Sequence, residues 1–152
     1  MKLRTLTFAL VMTISGGPSV LAAQDAAHGY WLTENGKAIV LMSQCGTQTC
    51  GQMVWTSAPR DATGKLKLDV NNAEPDLKTR PVCGLQLIGG MKPKSAGTWE
   101  DGWIYNPRNG EKYSAEIQAV SADELKVRGY LGISILGKSQ IWTRVANDRG
   151  GC

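Results

Sequence analysis

Gly29-Tyr30-Trp31, answered near the far end of the chain by Trp142-Thr143-Arg144, is the pair of stretches that decides the fold. A guanidinium on a last strand can stack over an indole on a first strand, which fastens a sheet to itself where it closes. Between the two stretches, short segments alternate apolar and polar residues and are punctuated by turn signals. Expected strands span 29–33, 37–43, 52–56, 84–88, 98–105, 111–120, 124–131 and 138–145. Asn35-Gly36 makes the first of them a hairpin. Asn106-Pro107-Arg108-Asn109-Gly110 turns the chain into the sixth. In that sixth segment Tyr113, Ala115, Ile117 and Ala119 share one face, while Lys112, Ser114, Glu116 and Gln118 share the other, the period of a sheet with unlike sides. No stretch past residue 23 shows a helical stripe. The expectation is an all-β, eight-stranded antiparallel up-and-down β-barrel with one long loop, 57–82, between strands three and four.

The size of the chain agrees. Residues 1–23 carry Lys2 and Arg4, an apolar stretch from Leu6 to Ile14 and a small-residue site at Val20-Leu21-Ala22-Ala23, the layout of an export signal. Residues 24–152 then form one β-barrel domain, expected in the periplasm or secreted. Without Lys2 and Arg4 the 17 basic residues become 15 against 13 acidic, and they are scattered, so no nucleic-acid partner is implied. No later stretch approaches the roughly 20 apolar residues of a membrane span. Phe8 lies in the signal, so aromatic packing falls to five Trp and four Tyr, each with a polar tip that needs a partner.

Four cysteines in an exported chain argue for two disulfides. Three pairings are open. Cys45 with Cys50, across a hairpin tip containing Gly46, is favoured and leaves Cys83 for Cys152; a four-Cys zinc site fits the spacing poorly.

The motifs taken together resemble the domain of unknown function 2147 family of exported bacterial proteins. They are Gly29-x-Trp31; Cys45-Gly46 with Cys50-Gly51 and Val54-Trp55; Asp69-x-Asn71-Asn72 with Pro75-Asp76-Leu77 and Arg80-Pro81; and Gly84-Leu85. Gly102-x-Ile104-Tyr105-Asn106-Pro107, Gly110-x-Lys112-Tyr113, Val127-Arg128-Gly129-Tyr130 and Gln140-x-Trp142-Thr143-Arg144 follow in order. The resemblance implies a lipocalin-like (calycin) barrel in the cell envelope and assigns no activity. Glu74 departs from the family pattern, which often has Asn there, and Cys83 and Cys152 fall outside it, so their pairing rests on parity.

Trp31 and Arg144 are expected to be structural. Trp103, Tyr105, Tyr113, Arg128 and Tyr130 fall on neighbouring strands, and facing inward they would line a small-molecule pocket with Arg128 ready for an anionic headgroup. The competing reading is a filled aromatic core with Arg128 outside. Asp69, Asn71, Asn72, Glu74 and Asp76 offer oxygens at alternate positions as a calcium loop does, but lack its central Gly and late Glu, so Asx turns and an Asp76–Arg80 ion pair on a short helix explain them better. His28 is the sole histidine, so no Ser-His-Asp or Cys-His arrangement assembles in the folded body, and Glu100 and Asp101 point to opposite faces of one strand and do not share a substrate. No cofactor or metal is expected. The leading expectation is a binding protein for a small apolar or amphipathic ligand; an envelope protein-interaction module with a filled barrel comes second, and a loop hydrolase using Asp69, Asp76 and Arg80 third.

Overall fold

The alternation materialises as β1 (Gly29–Leu32), β2 (Ala38–Cys45), β3 (Gln48–Thr56), β4 (Gln86–Ser95), β5 (Thr98–Asn106), β6 (Glu111–Ala119), β7 (Glu124–Tyr130) and β8 (Lys138–Val145) in a computed structural model that describes residues 25–152. The expected export signal, 1–23, lies outside the described residues. Each strand pairs antiparallel with the next, and β8 closes on β1 with Trp31 opposite Arg144 in register. The Arg144 guanidinium carbon sits 4.2 Å from the Trp31 ring centroid. Because β1 is only four residues long, its turn extends the seam: a Glu34 carboxylate oxygen accepts the Ile141 N–H at 3.1 Å.

Two strands are longer than their sequence pattern by four or more residues. β3 begins at Gln48, since the β2–β3 ladder runs through the cysteine pair down to Cys45 opposite Gln48. β4 runs ten residues, through Gly89-Gly90 and Pro93, which read as breakers. Pro93 is tolerated because the last β3–β4 register pair is Thr49 with Met91. Beyond it β4 pairs only with β5, which leaves Pro93 on a stretch with one open edge, where a missing N–H is tolerated. Disulfides join Cys45 to Cys50 and Cys83 to Cys152.

The two ends of the barrel differ. At the end holding the chain's N-terminal 3-10 turn (Asp25–Ala27), the interior is filled by Trp31, Met42, Met91, Trp99, Ile117 and Leu125, all essentially inaccessible to solvent. Trp31 Nε1 donates to the Ala27 carbonyl at 2.8 Å, which draws that turn across the floor. Arg144 then binds three carbonyls: Nη2 to Ala26 at 2.8 Å, Nη1 to His28 at 2.6 Å and Nε to Ala122 at 2.6 Å. Gly29 holds φ of +122° beside this guanidinium, and a Cβ there would overlap Nη1, so only glycine lets the cation reach the indole.

Candidate functional site

The four connections at the other end, residues 33–37, 57–85, 107–110 and 131–137, surround the mouth of a cavity of about 1330 Å³. Its walls include Ala38, Met53, Leu87, Ile104, Val127 and Gly129. The void exists because two inward positions carry almost no side chain. Gly129 contributes no side chain to the lumen, and Ile104 Cγ2 already lies 3.2 Å from where its Cβ would stand, while Ala38 adds a single methyl. At the floor the inward glycines Gly51 and Gly102 are filled over by Met42 and Met91 beside the tryptophans, whereas at the mouth no large inward side chain covers Gly129 and Ala38.

Of the residues expected to line a pocket, Tyr105, Tyr113 and Tyr130 border the cavity. Trp103 and Arg128 do not, which corrects the sequence expectation for both. The reason is the period of two, by which only Tyr113 among the tyrosines shares the inward face, opposite Ile104; Tyr105 and Tyr130 border the cavity because they stand where β5 and β7 end at the mouth. Ile104 faces the lumen, so Trp103 lies outside it, flat against Gly89 with Lys112 Nζ 4.4 Å from its ring centroid. Likewise Val127 and Gly129 face inward and Arg128 outward, opposite Glu116 in register. Arg128 donates through Nε and Nη2 to the Ser134 carbonyl at 2.8 and 2.6 Å, and through Nη1 to Ser139 Oγ at 2.9 Å. It braces the β7–β8 loop. The alternation of Leu125, Val127 and Gly129 already carried that signal.

The three tyrosines differ. The Tyr113 hydroxyl donates to Glu111 Oε2 at 2.7 Å and accepts from Asn109 Nδ2 at 2.7 Å; hydrogen bonding to the carboxylate holds its phenol above the usual range. Burial, with Glu116 adding to it, raises Tyr130. Tyr105 is tied to the long loop. Its hydroxyl donates to Asp69 Oδ1 at 2.6 Å, while Asp69 Oδ2 takes Arg80 Nε at 3.0 Å, Arg80 Nη2 at 2.9 Å and Asn72 Nδ2 at 2.8 Å. Asp69 is 0% exposed, so this carboxylate is a latch inside the protein. Asn71 Nδ2 adds a bond to the Arg108 carbonyl at 2.9 Å, and Gly110, at φ +74°, lets the Asn71 carbonyl approach where a Cβ would overlap it. The loop is therefore strapped to the β5–β6 turn and forms one lip of the mouth.

The latch differs from the Asp76–Arg80 pair that the sequence spacing suggests. Asp76 is exposed on a 3-10 turn (Pro75–Leu77), and Arg80 reaches back eleven residues to Asp69 instead. A buried Tyr105 needing a partner for its hydroxyl was the available clue. The same bonds use the atoms a calcium loop or a hydrolytic pair would offer: the Asn72 amide oxygen accepts the Glu74 N–H, and Asp69 is saturated. Among the described residues, no three His, Cys, Asp or Glu side chains gather as a metal site would need.

Burial first, then the Asp69 hydrogen bond and charge, push the Tyr105 phenol above its ordinary value of 10.0. A proton held more tightly in the fold stabilises it fully below the unfolded value, and that contribution disappears as pH rises through the folded one. Thermal melting between about pH 9 and 11 should therefore fall more steeply for the wild type than for Tyr105→Phe. Parallel curves would contradict this.

Among curated proteins nothing matches the chain. A solved structure described as "Protein HP1028 from the human pathogen Helicobacter pylori belongs to the lipocalin family" superposes with a TM-score of 0.68 at 20% identity, covering 80% of this chain and 84% of that one. At that identity the likeness speaks to the fold, a lipocalin-like barrel, which the closed eight-strand topology independently displays. A family model described as "Uncharacterized protein conserved in bacteria (DUF2147)" matches residues 29–144, from the glycine at the seam to the arginine that caps it. With fold, seam and latch all inside that span, the chain belongs to the DUF2147 family.

Proposed function

We propose that this is an exported envelope protein that holds one small apolar or amphipathic molecule in the open part of its barrel. The observation that carries the reading is the cavity of about 1330 Å³ above a floor of packed tryptophans. Ligand sites commonly measure roughly 300–1,000 Å³, and here the figure includes the mouth. Aliphatic walls suit an acyl or ring system. Lys37, Lys67, Lys138 and Arg108 at the rim suit a carboxylate or phosphate head, the role first expected of Arg128. The export-signal layout of 1–23 and the two disulfides support the periplasm or the exterior as its location. The empty lumen favours a cargo over the filled-barrel interaction module.

Native mass spectrometry of the protein from its own periplasm should reveal a co-purified small molecule. In vitro, a dansyl-labelled fatty acid should bind, and Gly129→Phe, which fills the lumen beside Ile104, should weaken binding at least about tenfold, some 1.4 kcal/mol. A bare polypeptide mass together with no dansyl response would refute the cargo.

A further inference from the structure

The connections around the mouth expose large apolar side chains that no other described residue covers. On the β7–β8 loop, Ile135 is 80% exposed, Leu136 76%, Leu131 61% and Ile133 60%. On the β3–β4 loop across the mouth, Leu66, Leu68 and Val70 are exposed as well. Leu66, Leu68, Val70, Leu131 and Leu136 all border the same opening, so the two groups share one end of the molecule. Scattered single leucines would need no explanation; seven exposed aliphatic side chains on two connections at one end, five of them bordering one opening, do.

The β7–β8 loop is also held in this posture. Arg128 grips the Ser134 carbonyl with two nitrogens, Ser134 Oγ donates to Glu116 Oε2 at 2.9 Å, and a 3-10 turn (Ser134–Leu136) closes on Gly137. The residues lining the opening are mostly basic, Lys37, Lys65, Lys67, Arg108 and Lys138 against Asp61, while Glu34, Glu74 and Asp76 on the same connections stand outside that lining and Asp69 is neutralised by Arg80. The basic residues that look scattered in sequence gather here.

Exposed aliphatic prongs inside a ring of cations match one surface in particular: apolar side chains enter the headgroup–acyl boundary while lysines meet anionic headgroups. We propose that the mouth docks, loops first, on an anionic lipid bilayer, placing the opening of the barrel against the membrane surface. The inference stands on the outside of the mouth and holds whether or not the lumen carries a cargo. Where it does, docking provides a water-free path between bilayer and lumen.

Co-sedimentation with phosphatidylcholine vesicles, and with vesicles containing one-third phosphatidylglycerol, tests this on the mature protein. Binding to the anionic vesicles should exceed binding to the neutral ones roughly tenfold or more. Ile135→Ser with Leu136→Ser should abolish most binding to either. Lys65→Gln with Lys67→Gln should remove the anionic preference while leaving weak binding. All four positions are exposed, so unchanged melting temperatures should accompany the loss. Gly129→Phe should dock like wild type, which separates this result from failure of the cargo reading. Equal, negligible sedimentation with both vesicle types would overturn the proposal. So would an Ile135/Leu136 variant that binds normally, or one whose only defect is loss of a concentration-dependent dimer, which would assign the patch to a second copy of the chain.

Discussion

Asp69→Ala is expected to lower stability by about 3 kcal/mol and to release the long loop from the barrel. Removing one partner from a buried charge network generally costs roughly 3–5 kcal/mol, because what remains is desolvated and unpaired. Here the Arg80 side chain is 37% exposed and can turn to water, which places the cost at the low end. Tyr105 and Asn72 cannot escape so easily: both are buried, and the Tyr105 hydroxyl would keep only its contact with Asn72 Nδ2 at 3.0 Å. Asp69→Asn retains the shape but loses the charge that Arg80 meets, and should fall between alanine and wild type. The readout beyond melting is limited proteolysis. Cleavage within 57–85 should accelerate strongly in Asp69→Ala while the β-strands stay protected. A variant that melts lower with the loop still resistant would mean the network stabilises the barrel without fastening its lip. A double-mutant cycle with Tyr105→Phe should return a coupling of about 1–3 kcal/mol, since the two share one hydrogen bond.

Arg144→Ala should cost about 3 kcal/mol, on the order of 10 °C in melting temperature for a domain of this size. The guanidinium does two jobs at the floor. It covers Trp31, a contact worth up to about 2 kcal/mol where water is excluded. It also satisfies the carbonyls of Ala26, His28 and Ala122, each such charge-assisted bond being worth roughly 1.5–3 kcal/mol before water takes its place. Solvent entering the gap compensates much of the second contribution, so the total stays well below the sum. Arg144→Lys supplies a charge without the planar fork and should recover only part of the loss. Because the floor is remote from the mouth, dansyl-fatty-acid affinity measured well below the melting temperature should change little. An unaltered melting temperature in Arg144→Ala would remove stacking and carbonyl capture as the means of closure.

The two residues that seal the barrel were legible in sequence, and so was the strand count, because turn chemistry and alternation act over a few residues. The ends of the strands were not. Gly89-Gly90 and Pro93 look like breakers until β5 is seen alongside them and β3 is seen to have stopped. Among the candidate lining residues, the outward direction of Arg128 and Trp103 is legible in the alternation of Val127 with Gly129 and in the neighbouring Ile104. The Asp69–Arg80–Tyr105 network lay beyond such reading, since Asp69 and Tyr105 stand 36 residues apart and their meeting depends on how the long loop folds back.

What the sequence determined alone was a closed cylinder of eight alternating strands sealed by an indole and a cation, because each of those features is local or repeats with a period of two. Only the tertiary structure decided which end of that cylinder is packed and which is empty. That follows from register, which stacks tryptophans from different strands at one level and sets Gly129 and Ala38 at another. The same register brings the apolar loops and the lysines to a single rim, a juxtaposition that no spacing along the chain encodes.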